Sequence, residues 1–132
     1  MAREYFVKED MSVKEAARPL ISIAIHPSGY YMAASFIDKI RVYHILHDEF
    51  KDYQSIDIRY CKIMKFSNGG HVFACVDKHT LNIFNSYTLE NTHQVKMNCG
   101  PNSEISQIVF NDKDQSLSVA SKDGYIGRWS LP

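Results

Sequence analysis

No apolar run in the sequence approaches the ~20 residues that a membrane-spanning helix needs, so no membrane partner is expected. Net charge is missing too: 15 Lys and Arg offset 15 Asp and Glu. A neutral surface exerts no general pull on nucleic acid or anionic lipid, and nucleic acid is not an expected partner. Cysteine is scarce and odd in number, with Cys61, Cys75 and Cys99 in no Cys-x-x-Cys spacing. That argues against a disulfide framework. The opening "MAREYFVKED" has no apolar core of a signal peptide, so the expected setting is the reducing cytoplasm. Heptads are absent, as are a nucleophile elbow, a Walker loop and Gly-x-Gly-x-x-Gly. No catalytic residue is assigned, and no cofactor or metal is expected.

What remains is ordinary globular composition: 45% hydrophobic, 23% charged and 12% aromatic, which excludes disorder by composition. A chain of this length would bury roughly two thirds of its unfolded surface if it folded alone. Its apolar residues come in short runs rich in Ile, Val, Phe and Tyr, separated by Pro-Ser-Gly, Asn-Gly-Gly and Lys-Asp-Gly turns. Such runs read as strands. Only Met11 to Ala17, ahead of Pro19, fits a short helix; its alternative is a plain arm or linker.

The strands repeat. "FSNGGHVFACVDKHTLNIFN" (66–85) matches "IHPSGYYMAASFIDKIRVYH" (25–44) and "FNDKDQSLSVASKDGYIGRWS" (110–130). Each copy has an aromatic as its last residue but one, Tyr43, Phe84 or Trp129, spaced by 41 and 45 residues. Each is preceded by an apolar triplet: Leu20, Ile23, Ile25; Cys61, Met64, Phe66; Ile105, Ile108, Phe110. A period near forty, built of polar turn, small-residue strand, charged turn and aromatic-ended strand, is that of a four-stranded propeller blade. The fold class expected is therefore all-β, a WD40-type β-propeller with about three blades in an incomplete ring. The expected division is an N-terminal arm over 1–18 and blades at about 19–58, 59–98 and 103–132, part of a larger propeller. The third blade lacks its fourth strand.

The copies resemble WD40 repeats, with departures. At the family's Gly-His position stand Glu15-Ala16, Ile56-Asp57 and Gly100-Pro101; at its Trp-Asp position stand Tyr43-His44, Phe84-Asn85 and Trp129-Ser130. The family's His-bridged tetrad therefore cannot form, although Asp38 and Asp123 can still close their turns. Tyr43, Phe84 and Trp129 are the expected blade anchors, and Arg128 stands where an aliphatic residue is usual. More narrowly, "SNGGH" (67–71) and "YTLEN" (87–91) are similar to the cilia- and flagella-associated protein fifty-seven family. That resemblance implies a scaffold of the ciliary or flagellar axoneme that docks other axonemal or scaffold proteins. It also implies a share in positioning or regulating inner dynein arms, with dynein-associated subunits as partners. The alternatives are a generic cytoplasmic WD-repeat adaptor in complex assembly or transport, and an enzyme of propeller fold.

Three blades do not close a ring. The chain could be part of a longer scaffold, could complete a propeller supplied by another chain, or could pair with itself. Candidate docking elements are the inter-blade loops, including Arg59-Tyr60 and Cys99 to Ser103, and the stretch "LHDEFKDY" (46–53). That stretch reads as a loop whose Phe50 and Tyr53 form a contact patch or fold back on their own blade. His44 and His47 read as exposed loop histidines rather than metal ligands, which need three or four converging groups. Asp112-Lys113-Asp114 reads as solvated turn charge. Cys61 and Cys75 fall on core positions, and Cys99 in a loop.

Overall fold

The computed structural model describes residues 19–131; the helix considered at Met11 to Ala17 lies outside them. The described residues form eleven strands in three antiparallel sheets. Blade 1 is β1 (Leu20–Ile25), β2 (Tyr31–Phe36), β3 (Ile40–Ile45) and β4 (Phe50–Ile56). Blade 2 is β5 (Met64–Phe66), β6 (Val72–Asp77), β7 (Thr80–Asn85) and β8 (Asn91–Lys96). Blade 3 is β9 (Ile105–Phe110), β10 (Ser116–Ser121) and β11 (Ile126–Ser130). Strands pair in chain order within each blade, and the first strands β1, β5 and β9 lie side by side. The sheets thus stack sideways as the repeat implied.

Two cores sit between the blades. The first joins Ala33, Ile40, Val42 and Ile56 of blade 1 to Phe66, Phe73, Cys75 and Phe84 of blade 2. The second joins Ala74, Val76, Leu81 and Ile83 of blade 2 to Ile108, Phe110, Leu117 and Val119 of blade 3. Alternation along β2, β6 and β10 sends neighbouring residues to opposite sides. β6 is buried almost throughout because blade 2 has an apolar neighbour on each side, and β2 because Met32, Ala34 and Phe36 pack on its outer side with Tyr43, Ile45 and Phe50 of the same blade. Each fully buried Phe or Leu here contributes about 1.5–3 kcal/mol, and the tilted ring pairs Phe66–Phe73 (4.8 Å) and Phe73–Phe84 (6.1 Å) add aromatic attraction. Cys61 and Cys75 are fully buried in the first core and Cys99 is partly buried.

Two sequence expectations need correction, and the first copy departs from the other two. The loop between β3 and β4 is only Leu46 to Glu49, closed by Leu46 N–H donating to Glu49 O at 2.9 Å, and Phe50 and Tyr53 belong to β4. A bulge opposite Val42 and Tyr43 breaks the alternation that would have marked the strand's start. His44 lies in β3 and is half-buried against Tyr53, ring to ring at 4.6 Å; only His47 is an exposed loop histidine. The apolar triplet of the first copy is not core: Leu20, Ile23 and Ile25 are more than half exposed, while Ala24 between them packs against the first core.

Candidate protein-docking surfaces

The turns that recur in the sequence are where one blade is fastened to the next. In "HPSG" (26–29), His26 is buried and bridges blades 1 and 2. Its Nδ1 accepts from Ser28 N–H at 3.0 Å and lies 2.8 Å from Ser28 Oγ. A backbone N–H can only donate, so Nδ1 is the acceptor and Nε2–H donates to Gly70 O at 2.7 Å. Ser86 also donates its hydroxyl to Gly70 O. Tyr31, Phe66 and Tyr87 surround the imidazole ring at 5.2–5.7 Å between centroids. Gly70 is required here: its φ is +84°, and a Cβ would lie 2.5 Å from His26 Nε2.

Blades 2 and 3 are fastened at the same level by Asp114, which overturns its reading as solvated charge. Asp114 is buried and accepts Asn68 N–H at 3.0 Å and Gly69 N–H at 2.6 Å. Two successive amides of "SNGG" make an anion-binding concavity, and the neighbouring blade's own carboxylate fills it. Asn68 Nδ2 adds a bond to Asn111 O at 2.8 Å.

At the other end of blade 3, Ser103 donates to Asp123 at 2.5 Å and Ser121 donates to the second carboxylate oxygen. Ser103 thus ties the loop before β9 to the β10–β11 turn, the span the missing family His would have bridged. Hydrogen bonds from Ser103, then Ser121, hold the Asp123 carboxyl below the usual carboxylate range. Near this end, Arg59, Tyr60, Lys78 and Glu104 line an open cleft of about 760 Å³ between blades 2 and 3. Tyr60 is 59% exposed, and both it and Lys78 hold left-handed backbone, φ +57° and +58°, which costs a non-glycine residue about 1–2 kcal/mol. Strained, exposed residues gathered at one cleft are a common feature of binding surfaces. Among the described residues, no three His, Cys, Asp or Glu side chains converge as a metal site would require.

Comparison with solved structures places this architecture. The complex of KlAtg21 with the coiled-coil of AgAtg16 superposes with a TM-score of 0.70 at 24% identity, over 87% of this chain and 38% of that one. Hsv2 of Kluyvelomyces marxianus superposes with a TM-score of 0.61 at 11% identity, over 87% and 36%. The chain is a WD40-type β-propeller segment with an open ring. No protein-family model matches the chain. In sequence, the propeller segment is similar to cilia- and flagella-associated protein 57 of Mus musculus, 36% identical over 118 residues. It is 28% identical over 118 residues to protein 57 A of Tetrahymena thermophila, and 32% over 120 residues to protein 57 C of that organism. It covers 89%, 89% and 83% of its own length in these matches and spans 9% of each relative.

The propeller segment does not bring Phe50 and Tyr53 together. Phe50 packs beside Tyr43, 6.5 Å between rings, in a cluster with Met32, Ala34 and Phe36. Tyr53 lies on the opposite side with His44 and Tyr31, and its hydroxyl donates to Tyr87 O of blade 2 at 2.8 Å. The three aromatic anchors occupy equivalent ladder positions, opposite Met32, Phe73 and Leu117. Tyr43 and Phe84 are buried, whereas Trp129 is only partly so. The His26 and Asp114 fasteners escaped sequence reasoning; the one signal was the placement of both in the recurring polar turn.

Proposed function

We propose that this chain is a non-catalytic docking scaffold of the ciliary or flagellar axoneme, its three sheets serving as blades 19–58, 59–98 and 103–132 of a larger propeller. The observation that carries the reading is the 36% identity over 118 residues to a protein named for cilia and flagella. The surfaces described above suit the role: two polar fasteners set the blades rigidly, and exposed Tyr30, Tyr53, Tyr60 and Tyr87 present the residue type that dominates protein-binding hot spots. Tyr53 contacts a partner at the seam of blades 1 and 2, while Phe50 packs inside its own blade. The partners are axonemal or scaffold proteins, dynein-associated subunits among them, and the contribution to the axoneme is positioning or regulation of inner dynein arms.

Expression of the tagged chain in ciliated cells tests this. The expected result is enrichment in the detergent-resistant axonemal fraction and co-purification of dynein-associated subunits. Even distribution through the cell body, with partners confined to other assemblies, would replace the axonemal reading with that of a general adaptor.

A further inference from the structure

Asn68-Gly69 is the only Asn-Gly pair in the sequence, and the fold places it where both seams meet. Asn68 and Gly69 are fastened to blade 3. Their two amides donate to the Asp114 carboxylate at 3.0 and 2.6 Å, and Asn68 Nδ2 donates to Asn111 O at 2.8 Å. Gly70, the next residue, is fastened to blade 1: its carbonyl accepts from His26 Nε2–H at 2.7 Å, and also from the Ser86 hydroxyl of its own blade. Asn68 and Gly69 are both exposed, so water reaches the pair.

An asparagine followed by glycine carries its own reagent. Glycine has no Cβ to shield its amide nitrogen and its backbone turns freely, so that nitrogen can attack the side-chain amide carbon just before it. Here the Gly69 nitrogen gives up its proton and bonds to Asn68 Cγ. The Cγ–Nδ2 bond breaks, and ammonia leaves with that proton. Water then opens the cyclic imide at either carbonyl, leaving an aspartyl or an isoaspartyl residue in place of Asn68. Water is the only co-reactant. The structure opposes both partners of the step. Gly69 N–H is bound to an ionised acceptor, which holds an N–H more strongly than a neutral one, and the negative charge of that acceptor disfavours loss of the amide proton. Asn68 Nδ2 is held toward Asn111. Ring closure must draw both groups away from blade 3.

We propose that Asn68 is a spontaneous deamidation site, that Asp114 of the neighbouring blade guards it, and that its modification unfastens both seams. A new carboxylate at position 68 stands beside that of Asp114 and repels it. An isoaspartyl linkage also lengthens the main chain by a methylene just ahead of Gly70, which moves the carbonyl that His26 holds. This goes beyond the docking reading and holds whatever the partner is.

Mass spectrometry of the tryptic fragment 66–78, in which Asn68 is the only asparagine, follows the reaction at physiological pH. The full chain should deamidate at least tenfold more slowly than the free synthetic 66–78 peptide. Asp114→Ala should bring the chain within a few-fold of the peptide. Asp114→Asn, which keeps one acceptor, should fall between, and it serves as the test if the alanine variant does not fold. Val119→Ala, which loosens the second core away from the turn, should stay near the parent rate. A parent chain as fast as the peptide, or Asp114 variants no faster than the parent, would overturn the guard. An equal rise in Val119→Ala would overturn it in favour of global unfolding as the route. The modified chain, separated by ion exchange through its extra negative charge, should unfold at a urea midpoint lowered as far as in Asp114→Ala or further; an unchanged midpoint would overturn the unfastening.

Discussion

Replacing Asp114 by alanine removes the carboxylate link between blades 2 and 3 and leaves the Asn68–Asn111 bond and the second core in place. Two hydrogen bonds to an ionised acceptor are lost, at 3.0 and 2.6 Å. Each is worth about 1.5–3 kcal/mol when its donor stays buried. Asn68 and Gly69 are exposed, so water can reclaim their amides and the lower figure applies to each. Alanine must also adopt the left-handed φ of +55°, which aspartate tolerates better. The total is about 3–4 kcal/mol. With a urea m-value near ~2 kcal/mol/M, the unfolding midpoint should fall by roughly 1.5–2 M, followed through Trp129 emission. Asp114→Asn keeps one acceptor and the backbone preference, and should lose about half as much. Asp112→Ala, on an exposed neighbour, should stay within about 0.5 kcal/mol of the parent. If Asp114→Ala matched Asp112→Ala, the carboxylate–amide link would carry no stability and the fastening argument would be wrong.

Gly70→Ala should destabilise by about 3 kcal/mol or more in the same assay, because its Cβ meets the His26 ring and its φ is positive; a neutral outcome would mean that the turn moves freely. Asp123 has a folded pKa below its unfolded value, so its contribution is present above about pH 4 and is lost as pH falls through the folded value. Ser103→Ala should therefore lower the urea midpoint at pH 6 and converge on the parent toward pH 2. An aromatic disulfide reagent should modify Cys99 first in the native protein, since Cys61 and Cys75 are fully buried and a hydrogen bond to Cys61, then burial, pushes the Cys75 thiol far up. Equal rates for all three thiols would show that the first core opens readily.

Strands, turns and the repeat were legible because their causes are local. Alternation, Pro-Ser-Gly and Asn-Gly-Gly are written within a few residues of where they act. The fasteners were not, because each pairs a side chain with backbone: His26 with a carbonyl 44 residues on, Asp114 with amides 45 and 46 residues back. Any residue can offer a carbonyl or an amide, so no partner is marked in the sequence. Asp114 between Lys113 and Gln115 looks like any turn acid until blade 2 is set beside it. The start of β4 was hidden for a different reason. Phe50, Lys51, Asp52 and Tyr53 straddle a bulge, so the two aromatics follow neither strand alternation nor loop composition. Leu20, Ile23 and Ile25 show the converse, apolar residues that are more than half exposed. The equivalent Phe66, Ile108 and Phe110 are buried against the preceding blade, and the described residues put no sheet on that side of blade 1, so Leu20, Ile23 and Ile25 stay exposed.

The two inter-blade cores also give the stack a direction. On the side facing the following blade, the middle of the second strand is small, Ala33 in blade 1 and Ala74 in blade 2, and sits beside the larger Val42 or Ile83 of the third strand. On the side facing the preceding blade, the bulky residues stand: Phe73 and Phe84 in blade 2, Leu117 and Phe110 in blade 3. A large face against a small one packs densely, whereas two large faces hold the sheets apart and two small ones leave a void. Blade 3 continues the series, since Ser116, Ser118 and Ala120 alternate with Leu117 and Val119 on β10. Arg128 interrupts that series. Arg128 pairs with Ser118 where Val42 pairs with Ala33 and Ile83 with Ala74, and its guanidinium reaches only Ser116 Oγ, at 3.3 Å. Covering that cation with an apolar face would strand a charge out of water, which costs several kcal/mol. A surface packed on that side of blade 3 would meet Arg128 where it meets Val42 in blade 1 and Ile83 in blade 2, and would have to offer the guanidinium a hydrogen-bond acceptor.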